Sequence, residues 1–411
     1  MKYSAATLFL TVLVIPLFAR TIEVCPTCSI KDPFLAIERS LPGDTLRFAK
    51  GEYLTDHMIV VDHPLTLLGE NGAVIHGKGD HTLLLIASDS VTVSGFRFEN
   101  VQTHYTQDLS AILIENARYF NVTDNYLHHT FFGIYGRKSE CGIIERNTVI
   151  GNAVDEFSSA NAIHLWYCDQ VEVKDNETAH HRDGIYFEFV NHCHIEGNLS
   201  RNNLRYGLHF MFSNDDGYYD NTFRDNGAGV AVMFSKRIDM VGNRFEENWG
   251  TASYGLLLKE IYDGRIAQNE FVRNTIGVYS EGATRMYIRE NRFERNGWAI
   301  RMRGSSMDNK VIYNSFLGNS FDLATESSRN NNQYLHNYWD QYSGYDLDRD
   351  GFGDVPYRPV RLFSFLVERI DASIILLRSP FVSVLDRAEE VTPSITPVEL
   401  FDEQPLMHPL P

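Results

Sequence analysis

The chain has 411 residues, 43% hydrophobic and 22% charged, a composition that points neither to a disordered polymer nor to a membrane bundle. Lys and Arg total 37 against 54 Asp and Glu, a net charge of −17. Such a surface repels phosphate backbones, which argues against nucleic acid as a partner and favours cations or a basic protein.

In chain order, Lys2, the apolar run over residues 5–18 and Ala19 have the basic flank, short hydrophobic stretch and small residue of a secretory signal. Residues 1–19 are therefore expected to be an export signal, with the mature chain starting near Arg20. The five cysteines cannot all pair within one chain. Cys25 and Cys28 frame Cys-Pro-Thr-Cys just past the cleavage point, either a loop-tying disulfide or a soft-metal or redox pair. Within residues 20–51, Asp32-Pro33 opens a short amphipathic run through Phe34, Ala36, Ile37 and Leu41, closed by Pro42-Gly43. It reads as a small helix capping the exposed end of a solenoid.

From residue 52 to 345 one pattern recurs: apolar residues at period two, an asparagine, more alternation, then often Asn and Gly. The anchoring asparagines are Asn125, Asn147, Asn176, Asn198, Asn221, Asn243, Asn269, Asn291, Asn314 and Asn337, spaced by 22, 29, 22, 23, 22, 26, 22, 23 and 23. Two residues after five of them stands Phe223, Phe245, Phe271, Phe293 or Phe316, and Trp339 ends the row. Period-two alternation with asparagine turns is not a helical repeat. The spacing predicts an all-β fold, a right-handed parallel β-helix with coils of about 22 residues, stacked at about 4.8 Å so that equivalent residues form ladders. The longer spacings become loops at residues 152–159 and 249–253.

Alternation also assigns the faces of each strand. Ile163/Leu165, Ile185/Phe187, Leu208/Phe210 and Val230/Val232 point inward, while His164/Trp166, Tyr186/Glu188, His209/Met211 and Ala231/Met233 point outward. Later coils carry Lys259, Glu281 and Arg303 in the same outward column, an ordinary solvated strand. His164, Glu188, His209, Met211 and Met233 thus share one outer strip, and imidazole with thioether suits copper, the thioethers Cu(I) above all. Met240, Met286 and Met302, and Cys193, fall on inward positions and read as core. His128, His129, His180, His181, His192 and His194 lie near turns or on other strands and read as surface residues.

After the repeats, over residues 346–357, Asp346, Asp348, Asp350 and Asp354 alternate around Gly351 in the manner of a calcium loop, without the closing bidentate Glu. Residues 358–411 hold two interrupted apolar stretches, 362–367 and 374–385, that read as a docking segment, then a Pro-rich end with too little apolar content to pack alone.

Several of these segments together resemble the NosD family: the run Pro42-Gly43-Asp44-Thr45-Leu46, Ala162 to Trp166, Arg182 to Phe187, Tyr206 to Ser213, Asn337 to Asp340 with the Asp-rich loop, and Arg378-Ser379-Pro380-Phe381. The resemblance implies a periplasmic copper-handling subunit that receives copper from a small chaperone lipoprotein. It further implies docking on a membrane permease subunit driven by a cytoplasmic ATPase, an ABC-type complex, and help in building the copper–sulfur centre of nitrous oxide reductase. No catalytic residue follows from it. The competing class is a polysaccharide lyase, hydrolase or epimerase, for which Asp183, Glu188 and His209 are the available acid and base groups. A third is a structural adaptor that binds no metal.

Overall fold

The computed structural model describes residues 19–70, 72–325, 331–392, 395–396 and 400–410, so the expected export signal, apart from Ala19, lies outside the described residues. Short strands repeat in threes and stack into parallel sheets of 14, 12 and 13 strands, the three walls of a right-handed parallel β-helix. Each wall is built by residues one coil apart, for example Ile185 on Leu208 and Phe187 on Phe210 in the 12-stranded sheet.

Two kinds of ladder hold the register. At the asparagine turn each amide bonds upward and inward: Asn176 Nδ2 donates to Asn198 Oδ1 at 3.0 Å and to Ile144 O at 2.9 Å, while its backbone N–H donates to the same Asn198 Oδ1 at 2.9 Å. A buried polar side chain is tolerated there because every group finds a partner. The second asparagine of the pattern forms a parallel ladder, with Asn203 Nδ2 donating to Asn226 Oδ1 at 3.0 Å. Inside, Phe223, Phe245, Phe271, Phe293, Phe316 and Trp339 stack with successive ring centroids 5.5, 4.6, 4.8, 5.0 and 4.2 Å apart, all essentially sealed from solvent. The inward pairs of the 12-stranded sheet are fully buried, as are Met240, Met286, Met302 and Cys193.

The N-terminal end is closed by α1 (Pro33–Glu38), whose first turn is capped by Asp32 accepting from the Phe34 N–H at 2.9 Å. Ala36 and Ile37 face the core.

The C-terminal end does not pack alone but is held on the last coil of the solenoid. Asp402, wholly buried, takes the place of the next asparagine. Its Oδ2 accepts from Asn337 N at 2.9 Å, Asn337 Nδ2 at 3.1 Å and Trp339 Nε1 at 3.0 Å, and its Oδ1 accepts from His336 N at 3.0 Å. Backbone pairing of Leu406 N with Asn337 O at 3.0 Å fixes the strap on the last coil. Hydrogen bonding to the solenoid substitutes for the apolar content the segment lacks. Ahead of it, α2 (Leu362–Arg369) and α3 (Pro380–Val391) form a hairpin on the outer face of the 12-stranded sheet, where Phe363, Val367 and Val382 cover Ile276, Trp298 and Phe321. Glu368, its side chain 3% exposed, pairs there with Arg301 at 2.7 Å and Arg303 at 3.0 Å. Among the described residues no helix is long and apolar enough to cross a membrane.

Candidate functional site

The outward residues of the 12-stranded sheet stand in two columns. His164, Tyr186, His209 and Ala231 follow one another strand to strand in the first, and Trp166, Glu188, Met211, Met233 and Lys259 in the second. The single strip read from the sequence is therefore a pair of lines, with the histidines in one and Glu188, Met211 and Met233 in the other.

The histidine column is outward but covered. His209 is only 5% exposed, because Tyr186 and Tyr206 lean on its ring with centroids 4.8 Å away on either side. His164 sits between Tyr135 at 4.7 Å and Tyr186 at 4.6 Å. Behind them Asp183, fully buried, receives Arg205 Nε at 3.0 Å and Nη2 at 2.7 Å. Burial, helped by the nearby Arg182 guanidinium, lowers His164 to about 3. Burial lowers His209 to about 4 against the pull of Asp183. Both imidazoles are thus neutral throughout the physiological range.

Their hydrogen bonds fix the tautomer. Arg182 Nη2 donates to Asn161 Oδ1 at 3.2 Å, which turns the Asn161 amide nitrogen toward His164 Nδ1 at 3.2 Å. Arg205 Nη2 approaches His209 Nδ1 at 3.5 Å. Nδ1 is the acceptor in both rings, so Nε2 carries the proton, and both Nε2 atoms are buried without a hydrogen-bond partner. A metal on Nε2 needs the Asn161 amide to turn over and Arg205 to shift away.

The second column needs no such change. Glu188, Met211 and Met233 are partly exposed and occupy three consecutive strands, about 4.8 Å apart at the backbone, within reach of one ion for side chains this long. The Tyr186 hydroxyl donates to Met211 Sδ at 3.7 Å and ties the columns together. Partial burial raises the Glu188 carboxyl.

Elsewhere, Cys25 and Cys28 are joined in a disulfide. The Asp-rich loop brings Asp346, Asp348 and Asp350 together, with one oxygen of each within 4.8 Å of the others. Asp346 accepts backbone N–H groups of Arg349 at 2.6 Å and Gly351 at 3.0 Å, whereas Asp354 stands apart and accepts from Leu347 N at 2.7 Å. His181, read as a surface residue, is 2% exposed, whereas His129 is exposed as expected: the corner loops meet, Thr103 Oγ1 donating to Ser158 O at 2.7 Å, and both histidines line the polar pocket of about 280 Å³ between them.

The sequence reading missed the Asn161, Arg182 and Arg205 scaffold behind the histidines, although the two arginines stand one coil apart, 23 residues, with Arg205 N bonded to Arg182 O at 2.8 Å. It also passed over the residue after each outward position, Tyr167, Phe189, Phe212 and Phe234, which recurs at spacings of 22, 23 and 22.

Fold and wall together define a parallel β-helix with histidine, methionine and carboxylate side chains in two columns on one outer face. The same architecture is found in the A-module of an Azotobacter vinelandii mannuronan C-5 epimerase, with a TM-score of 0.62 over 73% of this chain and 91% of that one, at 11% identity, a likeness of fold alone. In sequence, residues 153–344 match the family described as periplasmic copper-binding protein (NosD). The probable ABC transporter binding protein NosD of Stutzerimonas stutzeri is 30% identical over 88% of this chain and 86% of its own length. Its Pseudomonas aeruginosa counterpart is 31% identical over 87% of each. The chain belongs to the NosD family.

Proposed function

We propose that the protein is a periplasmic copper-handling accessory of an ABC-type transporter, without catalytic residues of its own, that holds Cu(I) transiently on its outer wall. The observation that carries this reading is the run Glu188, Met211, Met233 on consecutive strands, two soft thioethers and a carboxylate presented to solvent where a solvated wall carries charges. His209 and His164, neutral one column away, are the inner donors, reached when their Nδ1 partners rearrange. The family description and the names of the relatives support copper, the periplasm and the transporter.

Within the same reading, copper arrives from a chaperone lipoprotein and leaves toward the copper–sulfur centre of nitrous oxide reductase. The helical hairpin meets the membrane permease, whose partner is the cytoplasmic ATPase. In support, Ile375, Phe381 and Val384 on the hairpin are 85, 52 and 65% exposed, more apolar surface than a solvated helix pair needs. The Asp-rich loop is assigned to Ca2+ through Asp346, Asp348 and Asp350, and a calcium-dependent rise in melting temperature that Asp348→Asn abolishes is the expected result. A polysaccharide-processing role is disfavoured by Asp183, sealed in its arginine pair, and by His209, whose Nε2 faces no open cleft.

The test is in cells. His209→Ala with Met211→Ala is expected to leave the exported protein folded and abundant while the reductase accumulates short of copper. A fully metallated reductase in that strain contradicts the assignment.

A further inference from the structure

One residue beyond each member of the second column, the chain turns through a left-handed position. Along the sheet these turn residues are Asn116, Lys138, Tyr167, Phe189, Phe212, Phe234, Glu260 and Gly282, with φ between 50° and 71°. Asn and Gly suit this conformation and bulky apolar residues do not. Four consecutive coils nevertheless use an aromatic residue there, and they are the four that carry Trp166, Glu188, Met211 and Met233. Tyr167, Phe212 and Phe234 are 51, 39 and 36% exposed.

The rings form a continuous stack. Centroids lie 4.7 Å apart from Tyr167 to Phe189 and 5.2 Å at each of the next two steps, with planes within 20° of parallel. The faces of the middle rings are therefore spent on one another, and what reaches solvent is a ridge of ring edges about 15 Å long, three steps of about 4.8 Å. A pyranose ring stacks on a free aromatic face, so the ridge is a poor sugar platform. Ring edges pack well against aliphatic and methionine side chains of another protein.

Position decides which protein. Adjacent Cα atoms are about 3.8 Å apart, whereas a specific protein interface covers about 800 Å² on each partner. Any protein that hands an ion to Met211 or Met233 by direct ligand exchange must cover this ridge while doing so. Exposed aromatics at the centre of such a footprint are the residue type that dominates binding energy. The chain's own apolar hairpin does not compete for it, being seated on Trp298 and Phe321 farther along the wall. With a net charge of −17, the chain also draws a basic partner.

Resting on the copper-handling reading above, we propose that the ridge Tyr167–Phe189–Phe212–Phe234 is the docking rail for the protein that exchanges the soft ion with Met211 and Met233, a partner with a basic surface and an apolar, methionine-bearing rim around its metal.

The test separates docking from metal binding. Phe189→Asn with Phe212→Asn places at both turns a residue suited to their backbone, so folding is expected to hold, checked by thermal melt. Two Cu(I) sources are compared anaerobically: a small-molecule chelate, and the soluble, Cu(I)-loaded form of the chaperone lipoprotein from the same system. The ridge variant is expected to take copper from the chelate with wild-type affinity and to take it from the protein at least tenfold more slowly, whereas Met211→Leu with Met233→Leu loses both. Wild-type transfer from the protein to the ridge variant overturns the rail while leaving the metal site standing. Equal loss from both sources makes the ridge part of the ion site and also overturns it, as does sedimentation showing that the ridge pairs two copies of this chain. No uptake from the chelate by the unaltered protein removes the copper reading and the rail with it.

Discussion

One wall of the solenoid, built by one strand geometry, is used in two ways. Over residues 254–325 the outward columns carry Leu257, Tyr279 and Arg301 beside Lys259, Glu281 and Arg303, and the chain covers much of this half itself, clamping α2 through Glu368 between two arginines. Over residues 163–234 the same columns carry histidine, methionine and a carboxylate, away from the hairpin's seat on Ile276, Trp298 and Phe321, and aromatic rings line the edge. The backbone bonding is equivalent, so the difference lies in side chains alone. A solenoid separates the two tasks cleanly: inward positions are bound to the core, while outward ones are free to be a seat for the chain's own helices or for something else.

That separation breaks first if the core is not shared by both halves. Phe245 lies between Phe223 and Phe271 on the stack that begins in the last coil of the open half and continues through the covered one, and Phe245→Ala is expected to cost about 3–5 kcal/mol by thermal or denaturant melt. An unchanged melt places that ring outside the core. Next in size is the cap of the covered half. Asp402→Ala strands the N–H groups of Asn337, His336 and Trp339, at about 3 kcal/mol, and frees the C-terminal strap to proteolysis while the open half keeps its hydrogen-exchange protection. Loss of protection in both halves together contradicts a local cap.

The smallest effect distinguishes the halves by pH. In the open half His164 and His209, at about 3 and 4, lie below the ordinary 6.5, so the unfolded chain binds more protons between those values. Their contribution is fully present above about pH 6.5 and is lost as pH falls toward 4. In the covered half burial raises Asp322 from 3.8 to about 7, so its contribution is present below about pH 3.8 and is lost as pH rises through 7. Hydrogen exchange read separately on strands Tyr206–Met211 and Phe321–Thr325 is expected to show opposite pH trends between 4 and 7, with His209→Gln flattening the first only. Parallel trends contradict the assignment of these groups.

Most of the scaffold was legible because a ladder writes itself into the sequence once per coil. Asn176 and Asn198, or Phe271 and Phe293, are the same contact repeated, so spacing alone reveals them. Period two likewise put Leu208 and Phe210 inside and His209 and Met211 outside, which the structure shows. Exposure was not legible, since it depends on neighbours across coils: His209 faces outward yet lies under Tyr186 and Tyr206, and His181 sits at a turn yet is sealed by two corner loops. Nor was the Asp402 cap, because it closes over 65 residues from Asn337 and occurs once, with no period to betray it. The Arg182 and Arg205 brace does follow the coil period, 23 residues apart with Arg205 N bonded to Arg182 O, but the row has only two members and so does not stand out in the sequence.

The most direct measurement is an anaerobic Cu(I) titration of the purified mature chain against a competing chelator, beside Met211→Leu with Met233→Leu, a swap that conserves volume and is expected to move the melt by less than about 1.5 kcal/mol. The wall predicts a defined stoichiometry of tight uptake and at least a tenfold loss of affinity in the double variant; the neutral imidazoles add no pH dependence between 5 and 8, so a weakening toward pH 5 falls to Glu188, whose carboxyl is raised by burial. Copper bound equally well without the two thioethers contradicts it.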